Sequence, residues 1–131
     1  MRVLGLDIGD KTIGVAASDP LGWTAQGVET INRTSNKNDL KRLRELVAQY
    51  EAKIFVIGLP KNMDGTIGFQ GQDCIDFSQK IVGFDIILED ERLTSEEAEE
   101  RLRARKVDFR KNKGLVDMES ACVILEQYLG R

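Results

Sequence analysis

The stretch VLGLDIGDKTIGVAA, residues 3–17, decides the fold. Its apolar first half ends at the turn-forming residues 9–12, and a second apolar run covers residues 13–17. Short apolar runs bounded by turn residues are typical of buried β-strands. We therefore predict a β-hairpin over residues 2–18, with Asp7 near the end of its first strand.

The rest of the chain alternates between segments with helical periodicity and short apolar runs. Leu40, Leu43 and Leu46 recur at helical spacing, whereas residues 54–57 form a continuous apolar run. Three strands followed by alternating helices and strands predict an α/β fold, with a five-stranded mixed sheet and helices on both faces. The 131 residues suit a single domain, 1–131. The predicted strands cover residues 3–8, 13–17, 23–31, 54–57 and 84–88; the predicted helices enter through 35–39 and reach 50, cover 69–82, begin at 94, and cover 117–129.

The composition excludes several kinds of catalytic site. The chain has no histidine, which rules out a Ser–His–Asp triad, a Cys–His pair and a zinc ion held by histidine. Its two cysteines, Cys74 and Cys122, are too few for a Cys₄ zinc site and form no CxxC motif. Without histidine, the most direct route to catalysis is carboxylate side chains acting with a bound metal ion.

Membrane insertion and secretion are not expected from this sequence. No stretch approaches the roughly 20 consecutive apolar residues that span a bilayer. The apolar start is interrupted at Asp7, too early for a secretory signal. Two cysteines fit a reducing compartment, so we expect a soluble, cytoplasmic protein without a membrane partner.

Charge is distributed unevenly along the chain. The net charge is −3, from 19 basic and 22 acidic residues. Residues 101–113 nevertheless hold seven lysines and arginines, among them Lys113, against the single acid Asp108. A local basic strip on an acidic protein can bind a polyanion through its phosphates. A solvated loop is the simpler explanation for any one of these lysines.

Three acidic positions are candidates for metal binding, and each also has an ordinary structural explanation. Asp7 ends an apolar strand, where hydrogen bonds to turn amides would equally well explain it. Glu91 follows the last predicted strand, where a solvated strand end is the simpler interpretation if it is taken alone. Asp117 opens the predicted last helix, where capping is the more common role. Asp117 also shares a helix face with the apolar Ala121 and Tyr128, so we expect it to point toward the sheet.

The predicted topology can bring these three acids together. Parallel strands place their carboxyl ends at one edge of a sheet, where α/β sites collect. Oxygen ligands alone select Mg²⁺ or Mn²⁺ over zinc. Two such ions roughly 4 Å apart can activate water and stabilise a departing phosphate-ester oxygen. Asp7, Glu91 and Asp117 together therefore predict phosphodiester hydrolysis without histidine.

Other residues receive simpler assignments. The segment Gly58-Leu59-Pro60-Lys61-Asn62 is either a substrate-facing loop or a plain strand-to-helix connection. Arg92 is informative only if it points at a substrate phosphate. Glu119 is expected to be an ordinary surface charge. We predict core or partly core positions for Trp23, Phe55, Met63 and Phe77, and small buried hydrophobic positions for Cys74 and Cys122.

Four ordered motifs resemble the YqgF family, the pre-16S rRNA nucleases related to Holliday junction resolvases of the ribonuclease H-like class. The motifs are LDIGDKTIGVA (6–16), VIGLPKNMDGT (56–66), DERLTS with the following Glu-Ala (90–98), and the segment from Lys113 through Val116-Asp117 to Leu129. The resemblance covers nearly the whole chain. It implies a ribonuclease H-like fold, dependence on Mg²⁺ or Mn²⁺, and a carboxylate site formed by Asp7, Glu91 and Asp117.

The resemblance also implies a biological context and includes two departures. The family is linked to maturation of the 5′ end of small-subunit rRNA, which implies ribosome assembly. Gly58 stands where many ribonuclease H-like nucleases have an acid, and the family shares that absence. Glu119 and Ser120 stand where the family more often has an apolar residue and an alanine.

The sequence-based hypothesis is a metal-dependent endonuclease that acts on structured RNA, most simply precursor 16S rRNA. Asp7 and Asp117 would bind metal directly, while Glu91 would bind a second ion or orient the attacking water. Holliday junction resolution on DNA, a non-catalytic RNA-binding assembly factor, and nucleotide hydrolysis by an actin-like hairpin remain alternatives. The expected partners are nucleic acid and the ribosome, with the chain a monomer or weak homodimer. Substrate contacts are predicted for Lys61, Asn62, Arg92 and Lys113.

Overall fold

One five-stranded sheet organises the chain in the computed structural model, which describes residues 2–90, 94–110 and 112–130. The strand order across the sheet is β3-β2-β1-β4-β5. The order of elements along the chain, β-β-β-α-β-α-β-α-α, is the predicted one. The elements are β1 (Arg2–Ile8), β2 (Thr12–Ser18), β3 (Ala25–Asn32), α1 (Asn36–Tyr50), β4 (Ala52–Leu59), α2 (Phe69–Ser78), β5 (Asp85–Asp90), α3 (Thr94–Ala104) and α4 (Lys113–Leu129).

The predicted hairpin forms the centre of the sheet. Strands β1 and β2 pair antiparallel, in register from Leu4 opposite Ala17 to Ile8 opposite Ile13. The amide of Gly9 donates to the carbonyl of Thr12 at 2.8 Å and closes the turn. On the outer side of the turn, the guanidinium of Arg33 donates to the carbonyl of Gly9 at 2.9 Å. The turn next to Asp7 is therefore held by defined hydrogen bonds.

The other half of the sheet is parallel. Strand β4 pairs parallel with β1, and β5 pairs parallel with β4. Strands β1, β4 and β5 consequently end at the same edge, with Ile8, Leu59 and Asp90 as their last residues. We call this edge the carboxyl edge. The mixed sheet predicted from the sequence is confirmed.

Helices cover both faces of the sheet, as predicted. Helices α1 and α2 pack on the first face, where Leu46 of α1 and Phe77 of α2 meet large strand side chains such as Phe55. Helix α4 packs on the opposite face, where Ala121 and Leu125 meet small strand residues. We call these the aliphatic face and the α4 face. The aliphatic face buries Leu4, Leu6, Ile8, Ile13, Val15, Phe55 and Ile57 from the strands.

Glycines allow α4 to lie close to the sheet. A Cβ atom added at Gly5 would lie 2.8 Å from Cβ of Leu125 and 2.9 Å from the carbonyl oxygen of Ala121. At Gly14 an added Cβ would overlap the carbonyl of Asp117. The backbone of α4 therefore rests directly on β1 and β2.

Several predicted boundaries and burial states are wrong. Helix α4 begins at Lys113 rather than Asp117, and α2 ends at Ser78 rather than near residue 82. Trp23 is 80% exposed and Met63 is 70% exposed, so neither belongs to the core. Both lie in connections between elements, and such connections run over the protein surface.

Four predictions of burial are confirmed. Phe55 and Phe77 are buried, as are Cys74 and Cys122. Burial raises the pKa of the Cys122 thiol to about 12, which keeps it protonated and unreactive at neutral pH. In the described part of the chain, no helix has the length and apolar character needed to cross a membrane.

Candidate active site at the carboxyl edge

Asp7 lies at the carboxyl edge on the α4 face. It occupies the penultimate position of β1 and is opposite Gly14 of β2. Because side chains alternate along a strand, Asp7 shares its face with Val3 and Gly5, which pack against α4. Asp7 is partly buried. It therefore lies at the border between the packed sheet and solvent, where a carboxylate can meet a ligand.

Asp117 approaches the same place from the last helix. It is the fifth residue of α4, and Asn112 occupies the N-cap position, so the alternative explanation of Asp117 as a helix cap is wrong. A carboxylate this far into a helix does not accept hydrogen bonds from the free amides of the first turn, as a capping side chain does. The Asp117 carboxylate instead accepts a 2.7 Å hydrogen bond from the Thr12 hydroxyl. The prediction that Asp117 points toward the sheet is confirmed.

The β1–β2 hairpin brings the two aspartates together. Gly14 is the cross-strand neighbour of Asp7, and the backbone of Asp117 rests on Gly14. Thr30, opposite Gly14 on β3, donates a 2.7 Å hydrogen bond to the carbonyl of Gly114 in the same helix. The start of α4 is thus fixed over the end of β1, although the two aspartates are far apart in sequence.

The third predicted acid, Glu91, lies outside the described residues, and so does Arg92. The neighbouring Glu89, which sequence reasoning did not select, is 2% exposed. It pairs with Gly58 of β4 and lies on the α4 face, because it is two residues beyond Ile87 of the α4-face core. The sequence signal that could have identified Glu89 is its alternation with Ile87, which places a charged residue on the buried face of the strand.

The donor set fits a hard divalent cation. Asp7 and Asp117 offer only carboxylate oxygens, and Mg²⁺ is commonly held by one or two carboxylates while water and substrate phosphates complete its coordination. Among the described residues, no three acidic or cysteine side chains form a group that could hold a metal ion. Glu89 therefore does not complete a three-carboxylate group with this pair.

The β4–α2 connection lies at the same edge. Lys61 is 4.0 Å from the carboxylate of Asp90, the last residue of β5. The Asn62 side chain donates to the Thr66 hydroxyl at 2.9 Å, and the Asn62 backbone closes the same turn. Lys61 is therefore placed near the strand ends, whereas Asn62 stabilises its own loop. The substrate contacts predicted for both residues stay predictions.

The basic strip leads from α3 directly into α4. Arg103 lies over the Phe109 ring at 5.5 Å, and Arg110 pairs with Asp108 on the exposed surface. Lys113 is exposed at the first position of α4. One turn of helix separates Lys113 from Asp117, so the strip ends beside the two aspartates.

Helix α3 and the residue that follows it form ion pairs with α4. Arg101 pairs with Glu126 at 2.6 Å, and Arg105 pairs with Glu119 at 2.5 Å. Glu119 is only 9% exposed, so its prediction as an ordinary surface charge is wrong. Arg105, which pairs with it, lies just beyond the end of α3, and nothing near Glu119 in the sequence indicates this contact.

Solved structures share this architecture. The chain superposes on Thermus thermophilus RuvC in complex with a Holliday junction substrate, with a TM-score of 0.63, 11% identity, and coverage of 99% of this chain and 96% of that chain. The fowlpox virus resolvase bound to Holliday junction DNA gives a TM-score of 0.61 and 14% identity over 99% of this chain and 97% of that one. The fold is therefore that of the ribonuclease H-like class, as expected.

The sequence matches a narrower group. Residues 1–131 match the family model described as "RuvX: Holliday junction resolvase". A protein of Desulforamulus reducens is 46% identical over 98% of this chain and 96% of its own length, and one of Clostridium acetobutylicum is 48% identical over 98% of both. Both are named "Putative pre-16S rRNA nuclease". The chain belongs to the RuvX family, also called YqgF, which confirms the resemblance.

Proposed function

We propose that this protein is a metal-dependent endonuclease that cleaves precursor 16S rRNA at a site formed by Asp7, Asp117 and Glu91. The observation that carries the proposal is the position of Asp7 and Asp117 at one edge and on one face of the sheet. Family membership and the names of the relatives support the reaction class and the RNA substrate.

In this proposal Asp7 and Asp117 each supply a carboxylate ligand to the ion. Asp7 presents its carboxylate from a strand whose following turn is closed by hydrogen bonds, so its position is fixed before any ligand arrives. Asp117 presents its carboxylate from a helix resting on Gly14. A divalent ion held there would lower the pKa of a bound water and stabilise the departing ester oxygen.

Glu91 is the proposed third carboxylate, and Glu89 provides its matched control. Both are glutamates on the segment that follows β4 and α2, two positions apart. Glu91→Gln is expected to reduce cleavage strongly, because it removes a charge that binds metal or orients water. Glu89→Gln is expected to retain cleavage, since Glu89 forms no metal-binding group with the described acids. The reverse result would move the third carboxylate to Glu89.

Positively charged side chains hold the RNA backbone in this proposal. Lys61 reaches the carboxyl edge from the β4–α2 connection, and Lys113 lies exposed at the start of α4. Asn62 and Arg92 belong to the same proposed substrate surface. Lysine and arginine contacts to phosphate position the nucleic acid without reading its sequence, so specificity would come from the shape of the RNA or from the ribosomal particle.

The test compares wild type with Asp7→Asn on a precursor-rRNA fragment and on a four-way DNA junction. Each substrate is incubated with Mn²⁺ and, separately, with a chelator. We expect the wild type to cut the precursor RNA with Mn²⁺ only, leaving a 5′-phosphate, and Asp7→Asn to leave it intact.

Two other outcomes would replace this proposal. Metal-dependent cutting of the DNA junction alone would favour a junction resolvase, the activity in the family model's description. Binding of the RNA without cleavage under any metal condition would indicate a non-catalytic assembly factor. A resolvase cuts two strands and needs two paired sites, so a stable dimer measured by light scattering would strengthen the first alternative.

A further inference from the structure

We propose that Thr12 is a positioning residue for the metal site: its hydroxyl fixes the orientation of the Asp117 carboxylate so that one oxygen faces the divalent ion. This inference rests on the proposed function, because it assumes that Asp117 binds metal. It extends that function by adding a residue from β2 that acts through Asp117 rather than on the substrate.

The first observation is the geometry of the contact. The Thr12 hydroxyl donates to Oδ2 of Asp117 at 2.7 Å, and both residues are partly buried. A carboxylate has two oxygens, so a short bond to Oδ2 fixes the rotation of the group and leaves Oδ1 to face another ligand. Hydrogen bonds to metal-binding carboxylates orient them in this way, and losing such a partner typically costs about 10–100-fold in metal affinity.

The second observation is that Thr12 is held rigidly. Its carbonyl accepts the hydrogen bond from Gly9 that closes the hairpin turn, and its backbone pairs with Asn32 of β3. A β-branched side chain also has restricted rotation about its first torsion. The hydroxyl therefore has a defined direction before Asp117 approaches.

A purely structural role is the competing explanation, because a hydrogen bond between β2 and α4 also tethers the helix. The chain contains a matched control for this role. Thr30 tethers the same helix by a bond of the same length, 2.7 Å, but to the backbone carbonyl of Gly114 rather than to a carboxylate. Loss of either bond weakens the attachment of α4, whereas only loss of the Thr12 bond frees the Asp117 carboxylate.

The experiment measures Mn²⁺ affinity by calorimetry and thermal unfolding without metal for wild type, Thr12→Val, Thr12→Ser, Thr30→Val and Asp117→Asn. Valine removes the hydroxyl at similar volume and keeps a β-branched residue in the strand. We expect Thr12→Val to weaken Mn²⁺ binding about 10-fold, Thr12→Ser to restore most of it, and Thr30→Val to bind Mn²⁺ like wild type. Both valine variants should lose similar thermal stability.

The outcomes separate this inference from the proposed function. Equal Mn²⁺ affinity for Thr12→Val and Thr30→Val, with clear loss in Asp117→Asn, would overturn only the role of Thr12. Unchanged affinity in Asp117→Asn would overturn the metal site itself. Should Thr12→Val fail to fold, Thr12→Ala supplies the same comparison, since alanine also lacks the hydroxyl.

Discussion

The two faces of the sheet are built from different kinds of residue. The aliphatic face is filled by large side chains such as Leu6 and Phe55, which α1 and α2 cover. On the α4 face, Gly5 and Gly14 let a helix backbone approach the strands directly. Burying a large apolar side chain contributes about 1.5–3 kcal/mol, whereas a glycine contributes nothing of this kind. The aliphatic face therefore buries the larger set of apolar side chains, and the α4 face supplies the close approach that a two-carboxylate site needs.

The largest expected effect is the loss of cleavage on changing the site aspartates. Asp7→Asn and Asp117→Asn should each lower the single-turnover cleavage rate about 10³-fold, because metal stabilisation of the transition state contributes several kcal/mol. Asparagine at position 117 can still accept the Thr12 hydrogen bond, so the thermal midpoint should barely change. Cleavage at the wild-type rate by either variant would remove that residue from the site.

Truncation of a core side chain on the aliphatic face should lower the stability of the fold but leave the cleavage rate unchanged. Leu46 is 1% exposed on α1, and Leu46→Ala is expected to destabilise the fold by about 2–5 kcal/mol through lost burial and a residual cavity. Denaturant unfolding measures this change. Well below the thermal midpoint, the cleavage rate per folded molecule should stay at the wild-type value. A large loss of rate in fully folded Leu46→Ala would contradict the division of roles between the faces.

The close approach of α4 can be tested at a single glycine. Gly14→Ala should push the helix away from β2, because the new Cβ would overlap the Asp117 carbonyl. Misplacement by about 1 Å can cost about 10²-fold in rate, and cleavage kinetics would show it. Gly27→Ala is the control, since its Cβ would meet the Met118 side chain at 3.5 Å, an ordinary contact. Equal rates for the two variants would show that close packing does not position Asp117.

The smallest expected effect concerns the binding of the RNA backbone by Lys113. Lys113→Ala should reduce the slope of log affinity against log salt by about 0.7–0.9, the contribution of one phosphate contact. Filter binding of the precursor-rRNA fragment between low and moderate salt measures the slope. Lys80→Ala is the control, because Lys80 is exposed and precedes β5, away from the carboxyl edge. A slope that changes equally in both variants would exclude a specific role for Lys113.

Local sequence patterns were sufficient for the architecture. The apolar runs in residues 3–17 and the helical spacing around Leu43 reflect contacts between near neighbours and one buried face, and the order of elements follows from them. The direction of Asp117 was also predictable, because Ala121 lies one helical turn further along the same face. The start of α4 was not predictable from Asp117. Aspartate is a preferred N-cap residue, so the sequence favoured a helix that begins at Asp117 over one that begins at Lys113.

The parts that could not be predicted depend on long-range contacts. Nothing near Thr12 in sequence indicates that its hydroxyl would meet Asp117, more than a hundred residues away. The pairing of the buried Glu119 with Arg105, which follows the last residue of α3, likewise joins separate parts of the chain. Trp23 is predicted to be core or partly core, but it lies in the connection between β2 and β3 and is 80% exposed. The type of a residue predicts its burial only where the residue belongs to a strand or helix face that packs against another element.

Asp7 and Asp117 are proposed to hold one divalent ion between them. Mn²⁺ titration by calorimetry of wild type, Asp7→Asn, Asp117→Asn and the double variant tests it directly. We expect each single change to weaken binding, and the double change to weaken it less than the sum of the two, because both residues serve the same ion. Wild-type Mn²⁺ affinity in both single variants would contradict the claim.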